Sequence, residues 1–105
     1  MTLRLTDTAE DDLAEAWAYL ALESSEAVAA RFLSAVHAAF NQLQTFPMMG
    51  ASREQFAHRL RVIFHGAYAI YYTPNTDELV IIRVLHGSRD IAAIIERGEL
   101  STENL

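Results

Sequence analysis

The chain has 105 residues, 51% of them hydrophobic and 21% charged, which sets a single soluble domain with a core of useful size. A net charge of −6 excludes binding to nucleic acid through bulk positive charge, and the lack of cysteine excludes disulfides and thiol chemistry. The longest unbroken apolar run, Ala16 to Leu22, is far short of the roughly 18–20 residues of a membrane span. The first six residues hold no apolar core for a signal peptide, so a cytoplasmic chain with no membrane association is expected.

The opening segment Leu3-Arg4-Leu5 predicts a short strand, and Thr6, Asp7 and Thr8 offer alternative helix N-caps after it. Ala9, Leu13, Ala16, Trp17 and Leu20 then recur at helical spacing, giving an amphipathic helix over about 8–22 with acids in its first turn. Ser24-Ser25-Glu26 breaks and recaps the chain. The second helix carries one continuous stripe, Ala29, Phe32, Leu33, Val36, Phe40 and Leu43, and ends near Thr45 because Pro47 disfavours helical geometry at Phe46. Two helices this close in sequence predict an antiparallel hairpin.

After Met48-Met49-Gly50 the period changes to two. Leu60, Val62 and Phe64 alternate with Arg59, Arg61, Ile63 and His65; Gly66 marks a turn; Ala67 to Tyr72 is the next strand. Pro74 to Asp77 is a turn, Glu78 to His86 a central strand apolar on both faces, and Asp90 to Arg97 a short final helix stopped by Gly98. The fold class is therefore α+β: a β-α-α-β-β-β order with the helical hairpin packed on a small, mostly antiparallel sheet and a short C-terminal helix. One domain spans 1–98, and 99–105 is a short acidic tail.

Charge is unevenly spread. Residues 1–46 carry −5, residues 53–89 carry +2, and the stretch from Asp90 onward carries −3. All eight bases are arginine, whose planar fork suits fixed bidentate contacts. If Leu60, Val62 and Phe64 on one strand and Val80, Ile82 and Val84 on another face the helices, then Arg61 and Arg83 share the face away from them. Leu79, Ile81, Leu85 and Ile63 would accompany the two arginines there, so the final helix or a partner should cover that face. By the same alternation His86 points to the helix side. No histidine pair has metal-ligand spacing, and no cofactor is expected.

Several motifs together resemble the RelE/ParE superfamily of bacterial toxins, on its ParE (plasmid-stabilisation) side. They are Ala9-x-x-Asp12-Leu13, Trp17-x-Tyr19-Leu20, Ala29-x-x-Phe32, Phe40-x-x-Leu43, Phe46-Pro47-x-x-Gly50, Arg53, Leu60-Arg61, Tyr68-x-Ile70-x-Tyr72 and Arg83-Val84-Leu85-His86-Gly87-x-Arg89-Asp90, spread over residues 3–95. The resemblance implies the toxin of a type II toxin–antitoxin module, neutralised by a ParD-like antitoxin. It implies a hetero-oligomer with at least two toxins, touching operator DNA only through the antitoxin. ParE-like members inhibit DNA gyrase by protein–protein binding; RelE-like members cleave mRNA on the ribosome. The chain has no lysine, and no tyrosine beyond Tyr72, where RelE-type sites look rich in such groups. The expectation is thus a gyrase inhibitor that is not an enzyme, with no catalytic residues and with Arg61, Arg83, Arg89 and His86 as target or antitoxin recognition residues. The alternatives are a ribosome-dependent endoribonuclease using Arg61, Arg83 and His86, or a non-toxic binding or co-repressor member.

Overall fold

Thr6 both ends the first strand and starts the first helix. Its hydroxyl accepts the Ala9 N–H at 3.0 Å and donates to the Ile82 carbonyl at 2.8 Å, so the helix cap is also tied to an inner strand of the sheet. The computed structural model, which describes residues 1–87 and Ile94, runs β1 (Thr2–Leu5), α1 (Asp7–Glu23), α2 (Glu26–Thr45), β2 (Ala51–Ser52), β3 (Arg61–His65), β4 (Tyr68–Pro74) and β5 (Glu78–His86). Ser25 caps α2 by accepting the Val28 N–H at 3.1 Å, and the helix ends at Thr45 with Phe46 as its C-cap in front of Pro47, as the sequence predicts.

The five strands form one sheet in the order β1-β5-β4-β3-β2. β1 runs parallel to β5 and the other pairings are antiparallel, so the mostly antiparallel expectation holds. Gly66 turns β3 into β4 at φ 56°, a conformation that costs glycine little. The two-residue β2 has no counterpart in the sequence reading; two residues carry no period.

The faces of the sheet differ from expectation. Leu79, Ile81 and Val84 of β5, Ile70 and Tyr72 of β4, and Ile63 of β3 pack under the hairpin against Ala9, Leu13, Val36, Phe40 and Leu43. Leu60, Val62, Val80 and Ile82 lie in a second cluster on the opposite face, with Ala69, Tyr71 and Leu85, and Phe64 is 65% exposed. In β3 the alternation is as read and only the face it presents is reversed; in β5 the cause is a β-bulge. Tyr71 pairs with Arg83 and Tyr72 with Ile81, so Ile82 is skipped and the phase of β5 changes there. The phase read for Val84 and His86 is correct, whereas that read for Val80 and Ile82 is inverted.

Burying each Leu, Ile, Val or Phe of these clusters is worth about 1.5–3 kcal/mol relative to leaving it exposed. Ile94, a helical residue, is 1% exposed within the outer cluster. The expected final helix therefore contributes at least this residue to the cover of the outer face. Arg89, the expected helix over Asp90 to Arg97 apart from Ile94, and the tail 99–105 lie outside the described residues.

Trp17 departs from the predicted inner stripe. The buried face of α1 is Ala9, Asp12, Leu13 and Ala16; at 3.6 residues per turn Trp17 falls roughly 90° from its centre, and it is 36% exposed. Among the described residues, no helix is long and apolar enough to cross a membrane.

Candidate recognition site

Asp12 sits on the apolar stripe of α1, where a carboxylate must find partners or lose its charge. Arg83 supplies them. Its Nε donates to Asp12 Oδ2 at 2.7 Å and its Nη2 to Oδ1 at 3.0 Å, a bidentate pair, while the Val84 N–H donates to Oδ2 at 3.0 Å. The two side chains are 4% and 6% exposed. By register Arg83 stands opposite Tyr71, whose side chain belongs to the outer cluster, yet its guanidinium reaches Asp12 of α1 and is buried there. The sequence signal for this pair was present but unread: Asp12 interrupts a row of apolar positions, and Arg83 interrupts an apolar strand.

Arg61 was expected on the face away from the helices; it lies on the helix side, in register with Tyr72, because β3 presents the opposite face to the one assumed. Its Nη1 donates to the Gly50 carbonyl at 2.6 Å and the Met48 carbonyl at 3.2 Å. Tyr72, wholly buried, completes this clamp: its hydroxyl donates to the Pro47 carbonyl at 2.8 Å and accepts the Gly50 N–H at 2.9 Å. The Phe46-Pro47-x-x-Gly50 motif is thus a loop fastened from beneath. Burial pushes the Tyr72 hydroxyl above its ordinary 10.0, against the Gly50 N–H and the Arg61 charge, which pull it down. Burial likewise raises Tyr68 and Tyr71.

A raised folded pKa means the folded state holds its proton longer than the unfolded chain. The contribution of each tyrosine is therefore complete below pH 10 and is lost as pH rises through the folded pKa. Urea unfolding at pH 8 to 11 should show stability falling above pH 10, and Tyr72→Phe should make that fall shallower.

His86 is exposed at the end of β5, in register with Tyr68, and its ring meets the Tyr68 ring edge-on at a centroid distance of 5.3 Å. The two rings line a groove of about 310 Å³ between α1 and the sheet, with Tyr19, Glu15, Ala16 and Val84 as further walls and Asp12 at its base. The predicted residues are not brought together. Arg61 sits opposite Tyr72 and His86 opposite Tyr68, with β4 between their strands. At about 3.3 Å per residue and 4.8 Å per strand their backbones are on the order of 16 Å apart. Among the described residues no cluster of three or more His, Asp or Glu side chains could hold a metal ion.

A helical hairpin over a mixed five-stranded sheet, with separate grooves at its two ends, defines a small α+β fold known from a solved structure, "Chromosomal ParDE TA system from P. aeruginosa". That structure matches with a TM-score of 0.71 over 82% of this chain and 95% of its own, at 18% identity, a likeness of fold. A family model described as "ParE toxin of type II toxin-antitoxin system, parDE" matches residues 3–91. Toxin ParE3 of Caulobacter vibrioides is 30% identical over 66 residues, which cover 63% of this chain and 66% of that relative, just under two thirds of its length. The chain belongs to the ParE toxin family of type II toxin–antitoxin systems.

Proposed function

We propose that this chain is a toxin that inhibits DNA gyrase by protein–protein binding, making and breaking no bond. A ParD-like antitoxin neutralises it, in a cytoplasmic complex that holds at least two toxins and meets operator DNA only through the antitoxin. The observation that carries this reading is how the candidate phosphate-binding and proton-transferring groups are used. Arg83 is buried on Asp12, Arg61 is spent on two backbone carbonyls, and His86 stands on the order of 16 Å from Arg61. RNA cleavage would need a base, an acid and cations converging on one phosphate. A net charge of −6 also fits a protein target better than the phosphate-rich ribosomal A site.

For the antitoxin, the groove between Tyr19, Tyr68 and His86 suits an amphipathic segment, with apolar side chains on the rings and a cation towards Glu15. On this reading Arg83 acts in recognition indirectly, by holding α1 against β5 and so setting the width of the groove. Arg89 remains a proposed recognition residue on the basis of the motif alone.

Inducing the chain without its antitoxin, while following incorporation of labelled thymidine and methionine, tests the proposal in cells. DNA synthesis should fall first, with protein synthesis continuing for many minutes. Protein synthesis failing first would favour ribosomal mRNA cleavage, and normal growth would favour a non-toxic binding member.

A further inference from the structure

Three large apolar side chains stand out from the turn between α2 and β2: Phe46 and Met48 are each 62% exposed and Met49 is 50% exposed. The backbone beneath them is held unusually well. Pro47 and Gly50 are fastened to Tyr72, Met48 and Gly50 to Arg61, and the Met49 N–H donates to the Phe46 carbonyl at 3.1 Å. A surface turn serving only to connect two elements needs no such bracing. A rigid apolar tip, however, lowers the ordering cost of association, and methionine adapts to the shape it enters.

Beside the tip lies a cleft of about 360 Å³ whose walls include Met48, Arg59, Arg61 and Glu54. Arg59 has a φ of 62°, in the left-handed region that residues with side chains seldom adopt, and it precedes the fully buried Leu60. Strain of this kind collects at binding sites, where the surrounding structure holds it in place. Two guanidinium groups answered in the cleft by one carboxylate leave it positive on a chain of net −6. The complementary group is a carboxylate.

We infer that the tip formed by Phe46, Met48 and Met49, flanked by Arg59, is the surface that engages the target protein. It enters an apolar pocket of the target that is edged by a carboxylate. This rests on the reading of the chain as a gyrase-directed toxin and assigns that activity a surface. A projecting tip fits a pocket on a larger protein, while the concave aromatic groove fits a wrapping antitoxin segment. Tip and groove sit at opposite ends of β4, at Tyr72 and Tyr68, so the two can be separated by mutation.

Met48→Glu combined with Met49→Glu, and separately Arg59→Gly, test the inference on the full chain purified with its antitoxin and then freed of it. The methionines are exposed and glycine relieves the Arg59 backbone, so both variants should melt no lower than wild type and bind antitoxin unchanged. The double variant should need about tenfold more toxin to inhibit gyrase supercoiling by half, the scale of losing a central interface contact, and Arg59→Gly a few-fold more. Inhibition by the double variant at wild-type concentration overturns the inference, as does a parallel loss of antitoxin binding. Should wild type leave gyrase untouched, the gyrase reading fails and growth arrest on induction becomes the readout. Arrest lost in the double variant with antitoxin binding intact then upholds the tip as target surface, and undiminished arrest overturns it.

Discussion

Asp12→Ala should destabilise the domain by about 3–5 kcal/mol, a large part of the 5–15 kcal/mol that holds a typical domain together. The cost is not the value of the ion pair itself. It comes from leaving Arg83 charged at 4% exposure, with Nε, Nη2 and the Val84 N–H all losing the acceptor they share. At about 4–8 °C per kcal/mol for a domain of this size, the midpoint of thermal unfolding should fall by at least 12 °C. Replacing both partners, Asp12→Leu with Arg83→Met, should recover most of that loss, because a buried pair exchanged for apolar side chains of similar volume costs little. Thermal melts of the single and double variants check this. A single variant within 1 kcal/mol of wild type would mean that the pair does not hold α1 to the sheet.

Gly50→Ala should cost about 2–3 kcal/mol, on the scale of forcing extra atoms into a packed site and breaking a buried polar contact. A Cβ there would lie 2.6 Å from Tyr72 Oη and 2.8 Å from the Val62 carbonyl oxygen, closer than real Cβ atoms come. Neither neighbour can retreat: Tyr72 is fully buried, and the Val62 carbonyl belongs to a strand. The loop must lift instead, releasing the Tyr72 hydroxyl from Pro47 and from the Gly50 N–H, and Arg61 from the Gly50 carbonyl. Urea titration gives the loss, and hydrogen exchange gives its location. The amide at position 50 should be protected in wild type and exchange at the rate of an open loop in the variant. Retained protection with wild-type stability would show that the clamp does not set the loop.

The helices were legible because their signals are local. Thr6 and Ser25 act as caps through their own side chains, Pro47 stops α2 through its ring, and the α2 stripe repeats over the whole helix. The sheet was legible in its strands but not in its faces. In Leu79-Val80-Ile81-Ile82 every residue is apolar, so alternation has nothing with which to fix a phase, and the bulge then changes that phase at Ile82. In β3 the apparent apolar face contains Phe64, which is exposed, while Ile63 takes the place under the hairpin.

The sequence reading made Arg61 and Arg83 neighbours, and the structure separates them. Arg61 is in register with Tyr72 of the inner cluster and Arg83 with Tyr71 of the outer one, and each is engaged by a different part of the chain: the loop after α2, and Asp12 of α1. Both partners are set by tertiary approach, between residues 11 and 71 positions apart in sequence, which no periodicity reports. Gly50 shows the same limit. A glycine after two methionines reads as a turn, and only the Tyr72 ring against it explains why it tolerates no side chain.

The central claim is that this chain acts on gyrase by binding alone. The measurement that reaches it most directly is purified toxin, freed of antitoxin, added to gyrase, ATP and relaxed plasmid. Loss of supercoiling together with accumulation of cleaved DNA is the predicted result. Undisturbed supercoiling at a large excess of toxin, with cleavage of mRNA on programmed ribosomes by the same preparation, would contradict it.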